Sequence, residues 1–465
     1  MQVRSKRLTF GLSEQPAARR RLAWLRFHHP AQVVVFAFAA AVLVGTTLLI
    51  LPIAKNGPGN APFTTALFTS TSAVCVTGLV VVDTPSYWSG FGQAVILALI
   101  QLGGFGIMTF ASLLGLLVSR RMGLRTRMIA AAETKSTGLG NLKSVVAGVV
   151  KVSLTFEALT AVALSLRFIF GYGESVGRGI YLGVFHAISA FNNAGFALYS
   201  DSLSRFVTDP WICLPIAMAV IAGGLGFPVL FELRRQLRAP KQWSLNTKMV
   251  LSITISLLVA GFVFVTASEW SNPATLGALD TPGKMLAGFF QSVVPRTAGF
   301  NSLDYGQMNE GTLLGTNVLM FIGGGSAGTA GGIKVTTFIL LFFVLYTEVR
   351  GEHSVQAFDR RIDSRTTRQA LTVVLLAIGA VMTATITLLA TTPFTTSQIL
   401  FEATSAFATV GLSTGITADM PTAARYLLIA LMFLGRLGPI TLVSALALRE
   451  RRRLYELPDG RPLIG

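Results

Sequence analysis

Charge is scarce in this sequence: Asp, Glu, Lys and Arg make up 13% of the 465 residues, 52% are hydrophobic, and mean hydropathy is +0.62. A soluble protein covers its surface with about a quarter charged residues, so most of this surface faces something other than water. Cysteine is nearly absent. Cys75 and Cys213 both lie in apolar stretches, match no metal-ligand spacing and read as inert thiols. With four histidines and no grouping of His, Cys, Asp and Glu, nothing supports metal or acid–base catalysis. The chain therefore reads as a non-enzyme that implies no cofactor. Acidic residues are also few, 21 against 38 basic ones, for a net charge of +17.

Apolar runs of about 20 residues, long enough to cross a bilayer, recur along the chain. Spans are predicted at Ala31–Ala54, Phe91–Val118, Ser144–Phe170, Asp209–Phe231, Asn246–Ala267, Thr312–Thr347, Gln369–Thr391 and Tyr426–Leu448. The basic excess is segregated rather than spread as nucleic-acid binding would need. Of the 38 Lys and Arg, 28 fall in five segments, Met1–Pro30, Ser119–Lys143, Glu232–Lys248, Thr347–Arg368 and Arg449–Gly465. The alternate connections hold only Lys55, Arg178, Arg205, Lys284 and Arg425. By the positive-inside rule, both termini and three loops are cytoplasmic. The first apolar run has no small-residue cleavage site after it and reads as a retained span. The opposite face carries Asp83, Glu174, Asp201, Asp209, Glu269, Asp280, Asp304, Glu310 and Asp419. Part of that set is expected to draw cations toward an external mouth, and the rest to solvate loops.

Between the members of each pair of spans lies a shorter segment, always on the acidic side: "FTSTSAVCVTGL" (Phe68–Leu79), "FHAISAFNNAGF" (Phe185–Phe196), "FFQSVVPRTAGF" (Phe289–Phe300) and "FEATSAFATVGL" (Phe401–Leu412). Aligned without gaps, each begins with Phe and reaches Gly ten residues later, at Gly78, Gly195, Gly299 and Gly411. Six residues before the Gly stand Ser72, Ser189, Val293 and Ser405. Such a period decides architecture. The expected fold class is an all-α polytopic membrane protein of four parallel span–re-entrant loop–span repeats, eight transmembrane helices around a pseudo-fourfold central pore. Its expected parts are residues 1–30 (cytosolic N-terminus), 31–118, 144–237, 246–349 and 368–448 (the repeats), and 449–465 (cytosolic tail). Twelve residues cannot cross a bilayer, so each segment is expected to enter as a short helix and return extended. Irregular backbone at that depth must line water or be buried in protein.

Four such returns meeting on one axis would stack backbone carbonyls into rings that replace the hydration shell of a K⁺-sized ion. The glycine permits positive φ, which turns neighbouring carbonyls inward. The candidate ion-binding residues are therefore Val76, Thr77 and Gly78; Asn193, Ala194 and Gly195; Thr297, Ala298 and Gly299; and Thr409, Val410 and Gly411. None is charged, as main-chain coordination requires. The short helices would add their negative C-terminal ends, each about half an electron charge.

In combination, "TSAVCVTGL", "FNNAGF", "PRTAGFNSLD" and "ATVGLSTG" resemble the Trk/Ktr/HKT superfamily of potassium transporters, from about Phe27 to the end. The length and the ending "RRRLYELPDGRPLIG" look most like its bacterial Ktr branch. The resemblance implies K⁺ uptake across a bacterial inner membrane, with Na⁺ as a candidate activator. It also implies a homodimer of two separate pores and a cytosolic nucleotide-binding RCK ring supplied as a separate polypeptide. Relatives favouring Na⁺ tend to carry Ser at the first filter glycine, so Gly78 points to K⁺.

The run "GGGSAGTAGG" places Gly323, Gly324, Gly325, Gly328, Gly331 and Gly332 within one span, followed by Lys334. It satisfies G-x-G-x-x-G, but a dinucleotide site needs a strand before the glycines and a helix after them in a soluble βαβ unit. Neither flank reads so. Thr312–Thr347 would be about 54 Å long as continuous helix, too much for a core of about 30 Å. The helix is expected to break into a flexible loop at Gly323–Gly332, or else to pack closely through small residues. In the family this loop is the gate below the filter, and an Arg in the last span, here Arg436, faces it as a positive charge beside the pore axis; the other reading of Arg436 is a structural side chain paired with backbone carbonyls. Lys334 reads equally as part of that gate or as a structural side chain that snorkels to the cytoplasm. Arg296 is expected to brace the third segment from behind, with Glu402 as its candidate partner. Glu157 reads as satisfied by neighbours, and His186 as a packed hydrogen-bonding residue. The competing functional class is an alternating-access cation symporter. Its usual inverted repeats conflict with a charge pattern that starts and ends every unit inside.

Overall fold

The computed structural model describes residues 30–121, 142–352, 354–358 and 360–438. The expected cytosolic N-terminus, most of the basic loop before Ser144, the last part of the final span and the C-terminal tail lie outside the described residues. Helices dominate. Leaving aside the single turn Thr84–Tyr87, in chain order they are α1 (Pro30–Ile50), α2 (Phe63–Val74), α3 (Gly90–Arg121), α4 (Leu142–Tyr172), α5 (Val176–Phe191), α6 (Pro210–Leu225) and α7 (Phe227–Gln236). Then come α8 (Leu245–Glu269), α9 (Thr281–Val293), α10 (Glu310–Phe321), α11 (Val335–Val349), α12 (Ser364–Thr391), α13 (Thr396–Ala408) and α14 (Thr422–Leu437). A two-residue antiparallel ribbon pairs Gln356–Ala357 with Arg360–Arg361 on a basic connection.

Local chemistry sets several starts. Thr395 and Gln398 form a reciprocal capping box at α13. Asp280 accepts from Gly283 N–H at 3.0 Å and Ser244 from Thr247 N–H at 3.3 Å, capping α9 and α8. These side chains satisfy amides that no preceding turn can reach.

Among the described residues, four helices are long and apolar enough to cross a membrane: Gln32–Ile50, Val146–Tyr172, Leu245–Glu269 and Ser364–Thr391. Their outward faces carry Leu43, Leu159, Val259 and Ile386, all more than half exposed, the apolar surface that lipid covers. The short helices α2, α5, α9 and α13 lie inside. Phe68, Phe185, Phe290 and Phe401 on them are fully buried. Each long helix packs on the short helix after it, α1 on α2, α4 on α5, α8 on α9 and α12 on α13. The next helix then reaches the following short one: α3 touches α5, α6 touches α9, α10 touches α13, and α14 returns to α2. The chain thus closes on itself.

Two expected spans are not continuous helices. Asp209–Phe231 is interrupted at Gly226, where α6 and α7 diverge by 102°. Gly226 has φ 89°, and a Cβ there would strike Ser326 O and lie 3.2 Å from Gly328 N. The turn is needed because the 323–332 run presses against it, which periodicity along one helix cannot show. Thr312–Thr347 breaks as expected, though more widely: α10 stops at Phe321 and α11 begins at Val335. Gly226→Ala should therefore destabilise the fold by about 1–3 kcal/mol, from forced positive φ and the collision. Gly379→Ala, on α12 with open space around it, should be neutral or gain up to about 1 kcal/mol. Thermal unfolding midpoints in detergent compare the two directly, and equal midpoints would refute the packing argument.

Candidate functional site

Each short helix ends in the same backbone figure. Val76, Asn193, Thr297 and Thr409 have φ between 51° and 68°, and two residues later Gly78, Gly195, Gly299 and Gly411 have φ between 68° and 94°. Left-handed backbone is expected at glycine but is an outlier for β-branched Val and Thr, at about 1–3 kcal/mol each. The first of these two positions was not legible in the sequence, because nothing in residue type there announces it. What holds it is hydrogen bonding back to the helix. Thr77 N–H donates to Ser72 O at 2.7 Å, Ala194 N–H to Ser189 O at 2.7 Å, and Val410 N–H to Ser405 O at 2.9 Å. The serine side chains continue this: Ser72 Oγ accepts from Gly78 N–H at 3.0 Å and Ser405 Oγ from Gly411 N–H at 3.1 Å, whereas Ser189 Oγ donates to Phe196 O at 2.8 Å. With Val293 at this place, the third segment differs, and Ala298 N–H instead meets Val294 O at 3.0 Å.

The four glycines come together in chain order. A Cβ on Gly78 would run into Ala194 O, on Gly195 into Ala298 O, on Gly299 into Val410 O, and on Gly411 into Thr77 O. Each glycine is thus wanted twice, for its φ and for its missing side chain. All twelve predicted residues of these segments are buried except Gly411, which is partly buried. Outside the ring opens a cavity of about 360 Å³, lined by the four glycines together with Asp83 and Asp304.

Four of the other expected mouth acids, Asp201, Asp209, Glu174 and Glu269, are engaged by neighbouring side chains. Asp201 is ion-paired with Arg205 at 2.7 Å; burial alone would lift its carboxyl, but the Arg205 hydrogen bonds outweigh that and hold it below the usual carboxylate range. Asp209 binds Arg167 and Tyr172, both at 2.8 Å, and Glu174 pairs with Arg178 at 3.3 Å. Glu269 has no exposure and accepts from Asn272, Thr275, Asn309 and Thr312, tying α8 to α10.

Beneath the ring lies the stretch 322–334. Its neck is closed by Gly323 N–H to Ile333 O at 2.8 Å and Ile333 N–H to Phe321 O at 3.3 Å. Gly325 and Thr329 N–H groups donate to Gly224 O and Gly223 O, at 2.7 and 3.1 Å, at the end of α6. Rather than hanging free, the loop is packed. A Cβ on Gly323, Gly324, Gly325, Gly328 or Gly331 would meet backbone carbonyls, and Gly332 has φ 62°. Lys334 Nζ turns back to Ala330 O at 2.5 Å instead of reaching away along its helix. Arg436, 4% exposed, donates to Thr329 O through Nη1 and to Gly103 O at 3.1 Å through Nη2. Neither cation has an acidic partner among the described residues.

Arg296 does not pair with Glu402. Its Nη2 donates to Thr254 Oγ1 at 3.2 Å and lies 3.5 Å from Gly323 O, so it braces the loop neck from α8's side. Glu402 instead serves its own segment, accepting from the Ser413 hydroxyl, from Thr414 N–H at 3.1 Å and from the Thr417 hydroxyl at 2.9 Å. His186 occupies the same place in the second segment, nine residues before its glycine, and its Nε2 takes Leu198 N–H at 3.3 Å. Both acceptors serve the amide three residues past the glycine, a correspondence that the gapless alignment already contained. Glu157 is satisfied by Gln101 Nε2 at 3.0 and 3.1 Å and by Asn192 Nδ2 at 3.2 Å. Among the described residues, no group of His, Cys, Asp and Glu is arranged to hold a metal ion.

A family model, TrkH, described as a cation transport protein, matches residues 7–453. The Ktr system potassium uptake protein B of Bacillus subtilis is 42% identical over 96% of this chain and 98% of its own length. The potassium/sodium uptake protein NtpJ of Enterococcus hirae is 35% identical over 94% of this chain and 97% of its own. The crystal structure of the potassium transporter TrkH from Vibrio parahaemolyticus shares the fold, with a TM-score of 0.73, 19% identity, and coverage of 92% of this chain and 87% of that one.

The Glu402 carboxylate gives the site geometry a direct test. Glu402→Leu leaves three donors without their acceptor at a fully buried position, each costing about 1–3 kcal/mol, and should lower the thermal unfolding midpoint by several degrees. Glu402→Gln keeps one acceptor oxygen and should lower it less. A Glu402→Leu protein as stable as its parent would contradict the assignment.

Proposed function

Because the chain belongs to the TrkH family of cation transport proteins, we propose that it takes up K⁺ across the bacterial inner membrane through a carbonyl-lined filter. The observation that carries this reading is the closed ring of Gly78, Gly195, Gly299 and Gly411, each packed on the carbonyl before the next glycine. The units 31–118, 144–237, 246–349 and 368–448 act as four span–short helix–span repeats about one pore, with both termini cytoplasmic. In each filter strand a left-handed residue and, two positions on, a left-handed glycine flank one residue outside the left-handed region. That alternation brings successive carbonyls to the same side, where an ordinary strand would alternate them. Four such strands offer an ion several oxygens at once and replace its water shell. Asp83 and Asp304 raise the cation concentration at the outer mouth.

The loop at Gly323–Gly332 is the gate. Arg436 and Lys334 both bind its carbonyls, so two basic side chains stand below the filter with no acidic partner among the described residues. At an assumed separation of about 8 Å and an effective dielectric of about 20, each raises a cation's energy by about 2 kcal/mol. Passage therefore needs the loop and its two cations to shift. The names of the relatives favour K⁺ as the ion and Na⁺ as a second one. A system name also implies further subunits, for which we assign a homodimer of two pores on a separate cytosolic RCK ring.

Expression in a bacterial strain lacking K⁺ uptake, with the partner subunit supplied, should restore growth at low K⁺. Gly78→Ser should lower the K⁺-over-Na⁺ uptake ratio severalfold, because the serine Cβ collides with Ala194 O. Failure of the membrane-inserted wild type to rescue would contradict K⁺ uptake. An unchanged ratio in Gly78→Ser would remove the filter role from this ring.

A further inference from the structure

The gate and filter as described use Thr329 only through its backbone, whose N–H donates to Gly223 O and whose carbonyl Arg436 holds. Its side chain is fully buried and has a second set of partners. The Thr329 hydroxyl lies 3.1 Å from Asn193 Oδ1 and 3.3 Å from Phe191 O. On its other edge, Asn193 Nδ2 lies 3.4 Å from Thr297 Oγ1. Asn193 and Thr297 are the left-handed residues of the second and third strands, at φ 58° and 68°. Three buried side chains, from the loop and from two neighbouring strands, therefore form one hydrogen-bonded line across the base of the ring.

The roles along the line are set by chemistry. The Thr329 hydroxyl has one proton and two acceptors in reach, and the nearer, Asn193 Oδ1 at 3.1 Å, takes it, so Asn193 keeps its NH₂ for Thr297. Asn tolerates the left-handed region better than other non-glycine residues, but its amide can stand across the ring only while both neighbours hold it. The preceding residue is fixed from the opposite side, where Asn192 Nδ2 reaches Gln101 Oε1 at 2.8 Å and Glu157 Oε1 at 3.2 Å. Close packing leaves no slack, since a Cβ on Gly223 would lie 2.8 Å from Thr329 Oγ1 and 3.0 Å from Asn193 Oδ1.

We propose that the Thr329–Asn193–Thr297 line is a specificity latch, in which a side chain of the gate loop positions the second and third filter strands and so sets the preference of K⁺ over Na⁺. This rests on the filter reading of the glycine ring. Thr329 is a positioning residue that acts through Asn193. The loop's location then governs which ion passes as well as how fast.

The test uses the full-length protein in phosphatidylethanolamine–phosphatidylglycerol vesicles, with K⁺ and Na⁺ uptake measured side by side. Thr329→Val removes the hydroxyl and keeps the shape, and should lower the K⁺/Na⁺ ratio by about three- to tenfold, the range that one net hydrogen bond spans. Thr329→Ser should restore the ratio. Thr297→Val cuts the far end of the line and should lower the ratio similarly, with little further loss in the double variant. It also keeps the test decisive if Thr329→Val does not reach the membrane. An unchanged ratio in the single variants overturns the latch. So does a rise of both fluxes in equal proportion, which would mean that the hydroxyl only restrains the loop. A wild type without K⁺ preference instead overturns the filter reading beneath it, a result separable from failure of the latch.

Discussion

Backbone that leaves helical geometry at membrane depth must still find partners for its polar groups, and the rest of this molecule is arranged around that demand. In the four strands after α2, α5, α9 and α13, the amides are tied back into their own short helices. The carbonyls before the glycines are left facing the neighbouring strands. Donors are spent locally and acceptors are concentrated in one place. A ring of unpaired carbonyls inside protein is costly unless a cation or water completes it, which is what the proposed filter role supplies.

The same demand shapes the support behind the ring. Glu402 and His186 each accept the amide three residues past a glycine, while Ser72 and Ser405 accept the glycine amide itself. The third strand lacks the serine, and its neighbourhood is held differently, through Gln291 and its bonds to Ser302 and Tyr305. Fourfold similarity is therefore kept in the backbone and relaxed in the side chains. The loop beneath follows the same logic, since its amides and carbonyls are taken up by α6, by Lys334 and by Arg436.

Much of this was legible in the sequence. Four glycines in register mark where positive φ is required, and six glycines in ten residues mark where a helix ends. Both are statements about single positions, which residue type can carry. The bend at Gly226 was missed because its cause is a loop about 100 residues away. Pairing Arg296 with Glu402 failed for a related reason: opposite charge ignores the nearer hydroxyl and amide donors that Glu402 meets in its own segment. Positive φ at Val76, Thr297 and Thr409 runs against the preference of β-branched residues, so only the assembled ring reveals it.

The proposed uptake route depends on the carbonyls of Thr77, Ala194, Ala298 and Val410 holding the permeating ion. The most direct measurement is an experimental structure of the protein in Rb⁺, with the anomalous signal used to locate the ion. A peak on the axis of these four oxygens, weakened when Na⁺ replaces Rb⁺, is the predicted result. An empty ring, with Rb⁺ bound only at Asp83 and Asp304 or elsewhere, would contradict it.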